Sequence, residues 1–199
     1  PVKELEIARK RLKELKEKMG LQGKYVYFSW GRPGPSKGFE YVLKAAPRIR
    51  ERKPEAVFLL MLGSKEKYRQ KYAELKKLIE EYGGDGSIQL IDSVPHEQLG
   101  FYVKASDCVV VPSISEGFGY TAVEATAMGK PVVVSNAGAL PEIVSGKHLI
   151  FESKNVEDLA EKVCLVAEKK YNNTKSKRFE WSTCIEGYLG VYEQLVGKR

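Results

Sequence analysis

The sequence predicts an α/β fold, a doubly wound parallel sheet of about six strands with helices on both faces. Three observations point there. A short β-rich run, a loop rich in Gly, Pro or Ser, and a helical stretch follow one another five times along the chain. Several runs are apolar at consecutive positions, as at Val109, Val110 and Val111, which is how a parallel strand covered on both faces reads. Finally, 199 residues that are 43% hydrophobic and 10% aromatic suffice for one sizeable core and exclude wholesale disorder.

From Lys3 to Met19 the residues Leu5, Ala8, Leu12, Leu15 and Met19 recur at spacings of three and four, one apolar stripe on a charged helix that Gly20 ends. Strands are expected at Tyr25–Ser29, Ala56–Leu62, Ser87–Ile91, Asp107–Val111 and Pro131–Ser135, with a sixth at His148–Phe151. Helical patterns fall between them near Phe39–Arg52, Glu66–Tyr82, His96–Ala105, Tyr120–Met128 and Leu140–Val144. A helix at Val156–Lys169 follows, then a polar stretch, Tyr171–Arg178. The last helix, Ser182–Val196, carries Ile185, Tyr188, Leu189, Tyr192 and Leu195 on one face. The longest apolar run, Ala56 to Leu62, is strand-sized, well short of the roughly 20 residues of a membrane-spanning helix.

The net charge of +7 invites a nucleic-acid or anionic-membrane reading, so its distribution decides. Residues 1–24 hold eight Lys/Arg against four Glu, and residues 168–199 hold seven against four. The rest, 25–167, holds 18 of each sign. A neutral middle supplies no basic stripe interleaved with aromatics, so nucleic acid is not an expected partner; association with a membrane surface is left open. Cys108, Cys164 and Cys184, odd in number and widely spaced, fit neither a disulfide framework nor a zinc site. With no apolar leader-like N-terminal stretch, a cytoplasmic setting is expected.

In doubly wound sheets ligands lie beyond the carboxyl ends of the strands. That selects the loops Trp30–Lys37, Gly63–Ser64, Asp92–Pro95, Pro112–Gly119 and Asn136–Ala139. The first, Gly31-Arg32-Pro33-Gly34-Pro35-Ser36-Lys37-Gly38, sets two cations at a strand exit and a helix entry, which suits a pyrophosphate. It is neither a Walker A loop nor G-x-G-x-x-G. Alone it reads slightly better as a Gly/Pro-rich turn with two solvated cations.

The fourth loop, Pro112-Ser113-Ile114-Ser115-Glu116-Gly117-Phe118-Gly119-Tyr120-Thr121, ends where a helix begins and leaves N–H groups for a phosphate. Glu116 stands before that phosphate position and Glu124 about one turn into the helix. Each carboxylate can take two vicinal hydroxyls, so the pair suggests a sugar on either side of a phosphate, as in a nucleotide-sugar. Taken singly, Glu124 is better read as complementing the helix dipole and Glu116 as a solvated loop acid. Their joint spacing argues against both plain readings.

The run from Glu116 to Glu124, continuing through Ala125–Val133 and then Gly138-Ala-Leu-Pro-Glu-Ile-Val144, resembles the group 1 retaining glycosyltransferases. Those enzymes have the GT-B fold, two Rossmann-like halves facing a cleft. Gly31-Arg32 with Lys37-Gly38 is similar to their phosphate loop, and Phe179-Glu180-Trp181 lies before the last helix as expected. The resemblance spans nearly the whole chain but only the C-terminal half of such an enzyme.

By that resemblance Arg32, Lys37 and Glu116 are the catalytic candidates. The two cations would stabilise the departing nucleoside diphosphate, and Glu116 would hold the transferred sugar. Gly31, Val94, Gly117, Phe118, Gly119, Tyr120, Thr121 and Glu124 would bind the donor. Within that set Glu124 holds the ribose, Val94 meets the base largely through its backbone, and the N–H groups of residues 118–121 contact sugar and phosphate. A nucleoside-diphosphate sugar is the expected donor substrate, a hexose the expected cargo, and neither metal nor cofactor is implied.

The expected organisation is a single Rossmann-like donor-binding domain over 1–199: a linker helix at 1–23, a βα core at 24–170, and a C-terminal segment and helix at 171–199. An N-terminal Rossmann-like half, carrying the acceptor site, would be its partner. Without that half the chain should be inactive or nearly so. The competing function is a non-catalytic nucleotide or nucleotide-sugar binding module, which leaves Glu116 without a task.

Departures from the family pattern are Trp30, Gly34-Pro35, and Ala139 where a second glycine is usual. His96 is expected to cap or line the base-side loop, Cys108 and Cys164 to be core, and Asn172-Asn173-Thr174 to form a polar turn rather than a glycosylation acceptor.

Overall fold

The computed structural model describes residues 2–63 and 66–197, with side chains from residue 6 onward. Ser64 of the second loop and the side chain of Leu5 lie outside the described residues. Along the chain run α1 (Val2–Lys18), β1 (Tyr25–Gly31), α2 (Phe39–Arg52), β2 (Ala56–Leu62), α3 (Arg69–Tyr82), β3 (Ile88–Asp92), α4 (His96–Ala105) and β4 (Cys108–Val111). They are followed by α5 (Tyr120–Ala127), β5 (Val132–Ser135), α6 (Leu140–Ile143), β6 (Lys147–Phe151), α7 (Val156–Ala167), β7 (Asn172–Asn173) and α8 (Trp181–Val196).

The strands form one sheet in the order β3-β2-β1-β4-β5-β6-β7. The first six are parallel, as expected of βαβ units. Direct pairing of β1 with β4, with Tyr27 beside Cys108 and Phe28 beside Val109, makes this the place where the strand order reverses. The loops leaving β1 and β4 therefore emerge side by side.

Burial explains why the strands read as unbroken apolar runs. Every residue of β2, β4 and β5 is buried. One core layer joins Tyr27, Phe58, Leu60, Val110 and Val133 to α2, α3 and α7. The other joins Phe28, Leu59, Val109, Val111 and Val134 to α4, α5 and α6. In α1 only the C-terminal half of the apolar stripe finds cover: Leu12, Leu15 and Met19 are half-buried, whereas Ala8 is exposed. In α8 no residue is buried, so its apolar face, Trp181 to Val196, stands in solvent.

Several expectations change, among them the end of α7, which stops at Ala167 rather than Lys169. Asn172-Asn173 is a short antiparallel edge strand, not a turn, pairing with His148 and Lys147 of β6. The ladder uses backbone groups that any residue carries, and an open parallel edge will take them whatever the side chains. Strand β1 runs two residues further than expected, to Gly31, because it stays in register with β2 up to Leu62. Helix α3 begins at Arg69, since Glu66–Tyr68 form a turn.

The two site loops are held at backbone distance. Ile114 and Ser115 donate their N–H groups to the Ser36 carbonyl, at 2.7 and 3.3 Å. Gly38, at φ +64, lies so close to the second loop that a Cβ there would sit 2.0 Å from the Pro112 carbonyl oxygen. Gly38→Ala is therefore expected to lower unfolding stability by at least about 2 kcal/mol. Gly117→Ala, whose Cβ would meet nothing within 4 Å, should shift it by no more than about 0.5 kcal/mol. Urea unfolding of both variants checks the contrast.

Candidate functional site

The site grows from the exits of β1 and β4. Lys37, one residue before the left-handed Gly38, points across to the second loop, and its Nζ lies 2.6 Å from Glu116 Oε2. Both side chains are largely withdrawn from water, at 24% and 15% exposure, so the pair is stronger than a surface ion pair. Ser113, fully buried at the end of β4, donates its hydroxyl to the same Oε2 at 3.1 Å. The Ser113 carbonyl in turn accepts from the Ser135 hydroxyl at 2.5 Å. A chain of hydrogen bonds thus runs from β5 through Ser113 to Glu116 and Lys37.

The backbone of Glu116 is held as closely as its side chain. Its carbonyl accepts the Ala139 N–H at 3.1 Å. Gly138, at φ +55, passes so near that a Cβ would sit 2.1 Å from the Glu116 oxygen. Ala139 itself has right-handed helical geometry (φ −77, ψ −6), which any residue adopts, so the glycine requirement falls on Gly138 alone.

Gly119 caps α5 at φ +96, and the intrahelical ladder begins with Ala122 and Val123 donating to its carbonyl. The N–H groups of Tyr120 and Thr121 are therefore free of helical acceptors, as a helix N-terminus requires. Gly117 is exposed, and Phe118 packs against Tyr120 and, edge-on, against Phe179. Tyr120 is itself largely exposed.

Glu124 sits one turn into α5 and is half-buried. Burial raises its pKa, and the nearby His96 offsets part of the rise. Arg32 is exposed and, among the described residues, has no ion-pair partner. It lines a pocket of about 270 Å³ together with Trp30, Gly31, Met61, Val94, His96 and Leu99. His96 thus lines the base-side loop; it caps nothing, since Pro95 is the cap residue of α4.

The geometry joins Lys37 to Glu116 but not Arg32 to Lys37. Arg32 faces the 270 Å³ pocket, while Lys37 lines a neighbouring crevice with Phe39, Pro112, Ser113 and Thr121. Trp30 borders both. Two participants escaped the sequence reading. Ser113 was legible only as a serine within the fourth loop, and Gly138 only as the first residue of the family run Gly138-Ala-Leu-Pro-Glu-Ile-Val144, with no task of its own. Among the described residues no group of three or more His, Cys, Asp or Glu is arranged to hold a metal ion, and no helix is long and apolar enough to cross a membrane.

Comparison with known proteins bears on this arrangement. The profile described as "Glycosyl transferases group 1" matches residues 11–180. A D-inositol 3-phosphate glycosyltransferase of Corynebacterium jeikeium (strain K411) is 30% identical over 177 residues, covering 83% of this chain and 42% of that protein. Mannosylfructose-phosphate synthase of Agrobacterium fabrum (strain C58) is 31% identical over 141 residues, 69% of this chain and 31% of that protein. Sucrose-phosphate synthase from Thermosynechococcus elongatus superposes with a TM-score of 0.71 at 27% identity, covering 89% of this chain and 47% of that one. Anabaena Alr3699/HepE, solved in complex with UDP, shares the fold at a TM-score of 0.68 and 23% identity, covering 80% of this chain and 44% of that one. The chain thus spans less than half the length of these relatives.

The raised pKa of Glu124 has a consequence for stability. The folded state holds this proton more tightly than the unfolded chain, so its contribution is present below the unfolded carboxyl pKa and is lost as pH rises through the folded one. At neutral pH the buried charge is a cost. Glu124→Gln is expected to be at least as stable as the parent at pH 7, with the difference closing as pH falls below 4.5, as thermal melts across that range would register.

Proposed function

We propose that this chain, which belongs to the group 1 glycosyltransferases, is the nucleotide-sugar-binding half of a retaining enzyme that moves a hexose from a nucleoside diphosphate to an acceptor. The observation that carries the reading is the 2.6 Å pairing of Lys37 with Glu116 at the strand-order reversal. It sets a cation suited to a diphosphate directly beside a carboxylate suited to sugar hydroxyls. Solved relatives of the same fold that bind UDP support a donor of this class.

In this reading Arg32 and Lys37 take the pyrophosphate, with the free N–H groups of Tyr120 and Thr121 at the start of α5. An ammonium has three donors, so Lys37 can hold Glu116 and a phosphate oxygen together. Lys37 and Ser113 both address Oε2 of Glu116, which leaves Oε1 for a hydroxyl of the hexose. Glu124 takes the ribose hydroxyls, and Val94 and Gly31 border the base side.

As the bond between the anomeric carbon and the diphosphate oxygen breaks, its electron pair moves onto the diphosphate. The growing negative charge is met by the exposed Arg32, by Lys37, which is largely withdrawn from water, and by the α5 dipole, groups already in place. The acceptor hydroxyl oxygen then bonds to the anomeric carbon and passes its proton to the diphosphate oxygen that has just departed. The reading uses no metal or cofactor.

Residues 1–23, 24–170 and 171–199 serve as linker helix, βα core and C-terminal segment of one donor-binding domain. The acceptor site lies on an N-terminal half, which would also cover the exposed apolar face of α8. By itself the chain is accordingly expected to bind donor while transferring sugar poorly or not at all; sugar transfer to added acceptors at the rate of a complete enzyme would contradict that division of labour. For the donor site, Glu116→Ala should weaken nucleotide-sugar binding by about tenfold or more while changing bare diphosphate binding much less. Calorimetric titration with UDP, UDP-glucose and their guanosine and adenosine counterparts reads both, and equal losses would refute the role given to Glu116.

A further inference from the structure

Trp30 has no role in the donor-binding reading, on which the following rests. It is the penultimate residue of β1 and lies on the same face of the strand as Phe28. The two rings stack at 4.9 Å between centroids and 21° between planes. Phe28 stacks in turn on Tyr102 of α4, at 6.2 Å and 29°. A column of three aromatic rings therefore climbs one side of the sheet and ends, at the carboxyl edge, in Trp30.

With Phe28 against one face, the half-buried indole gives its remaining surface to the cleft. There it is the shared wall of two hollows: the pocket of about 270 Å³ with Met61, Val94 and Leu99, and the crevice containing Lys37 and Ser113. The pocket side is mostly apolar, and its charged rim is Arg32. Beyond the ring lies Lys37. A ligand that follows this surface must be flat and weakly polar at one end and anionic at the other.

We propose that Trp30 is the stacking platform for the nucleobase of the donor, and that it sets the affinity of the chain for nucleotides over base-free phosphates. Aromatic rings stack on every base, because every base has a π face, and truncating such a platform typically weakens binding by about tenfold or more. The rigid support from Phe28 and Tyr102 means that little side-chain freedom is lost when a base lands on the ring.

The test uses the full chain with Trp181→Phe, which leaves Trp30 as its sole tryptophan. UDP, GDP and ADP should change the Trp30 fluorescence on titration. In calorimetry, Trp30→Leu, which keeps apolar volume over Phe28 but removes the π face, should bind these diphosphates about tenfold or more weakly. It should bind inorganic pyrophosphate as the parent does, and Trp30→Phe should retain most of the nucleotide affinity. Trp30→Leu with parental nucleotide affinity overturns the proposal, as does an equal loss for pyrophosphate, which would mean that the ring only shapes the phosphate loop. Parent chain that binds pyrophosphate but no nucleotide overturns Trp30 alone; parent chain that binds neither overturns the donor reading as well.

Discussion

Everything at the site depends on the contact between two loops that leave neighbouring strands. Because β1 pairs directly with β4, the segments 31–38 and 112–119 start a strand spacing apart and then close further. Gly38 lets the first lie on the Pro112 carbonyl, and the Ser36 carbonyl collects the N–H groups of Ile114 and Ser115. Only at that separation can Lys37 reach Glu116. A bulkier residue at 38 would separate a cation and a carboxylate that are far apart in sequence.

The Lys37–Glu116 pair illustrates how a charged site is kept cheap in a partly dry place. Each charge is the other's principal partner, and the Ser113 hydroxyl shares the load on Oε2. Gly138 and Ala139 hold the Glu116 main chain from the opposite side, so the acid is fixed at both ends. Such prior arrangement suits a reaction whose chief demand is to meet charge appearing on a leaving group. Glu124 is different in kind. It is an acid whose burial is only partly compensated, by His96, and its raised pKa records that cost.

Particular residues show why some features were legible in the sequence and others were not. The strand cores were, because Val109-Val110-Val111 and Ala56–Leu62 are unbroken apolar runs, the pattern of parallel strands covered by helices on both faces. The Arg32/Lys37 loop and the paired glutamates were legible as a spacing pattern, together with the family whose profile spans residues 11–180. The edge strand at Asn172-Asn173 was not, since its pairing is made by backbone groups that leave no trace in side-chain pattern. Ser113 was not, since its role depends on where Glu116 turns back over it. Nor was the bordering of both hollows by Trp30, which needs the curvature of the loop as well as the strand's end.

By itself, then, the sequence determined the layers, the strand and helix alternation, the family and the list of candidate groups in the loops beyond the strands. Periodicity and local spacing carry that information along the chain. The tertiary structure alone decided which of those groups meet: Lys37 with Glu116, Arg32 apart from both, His96 within reach of Glu124, and Trp30 between the two hollows. The physical reason is that side-chain contacts across loops are set by strand order and by close backbone approach. Neither can be read from residues that lie dozens of positions apart.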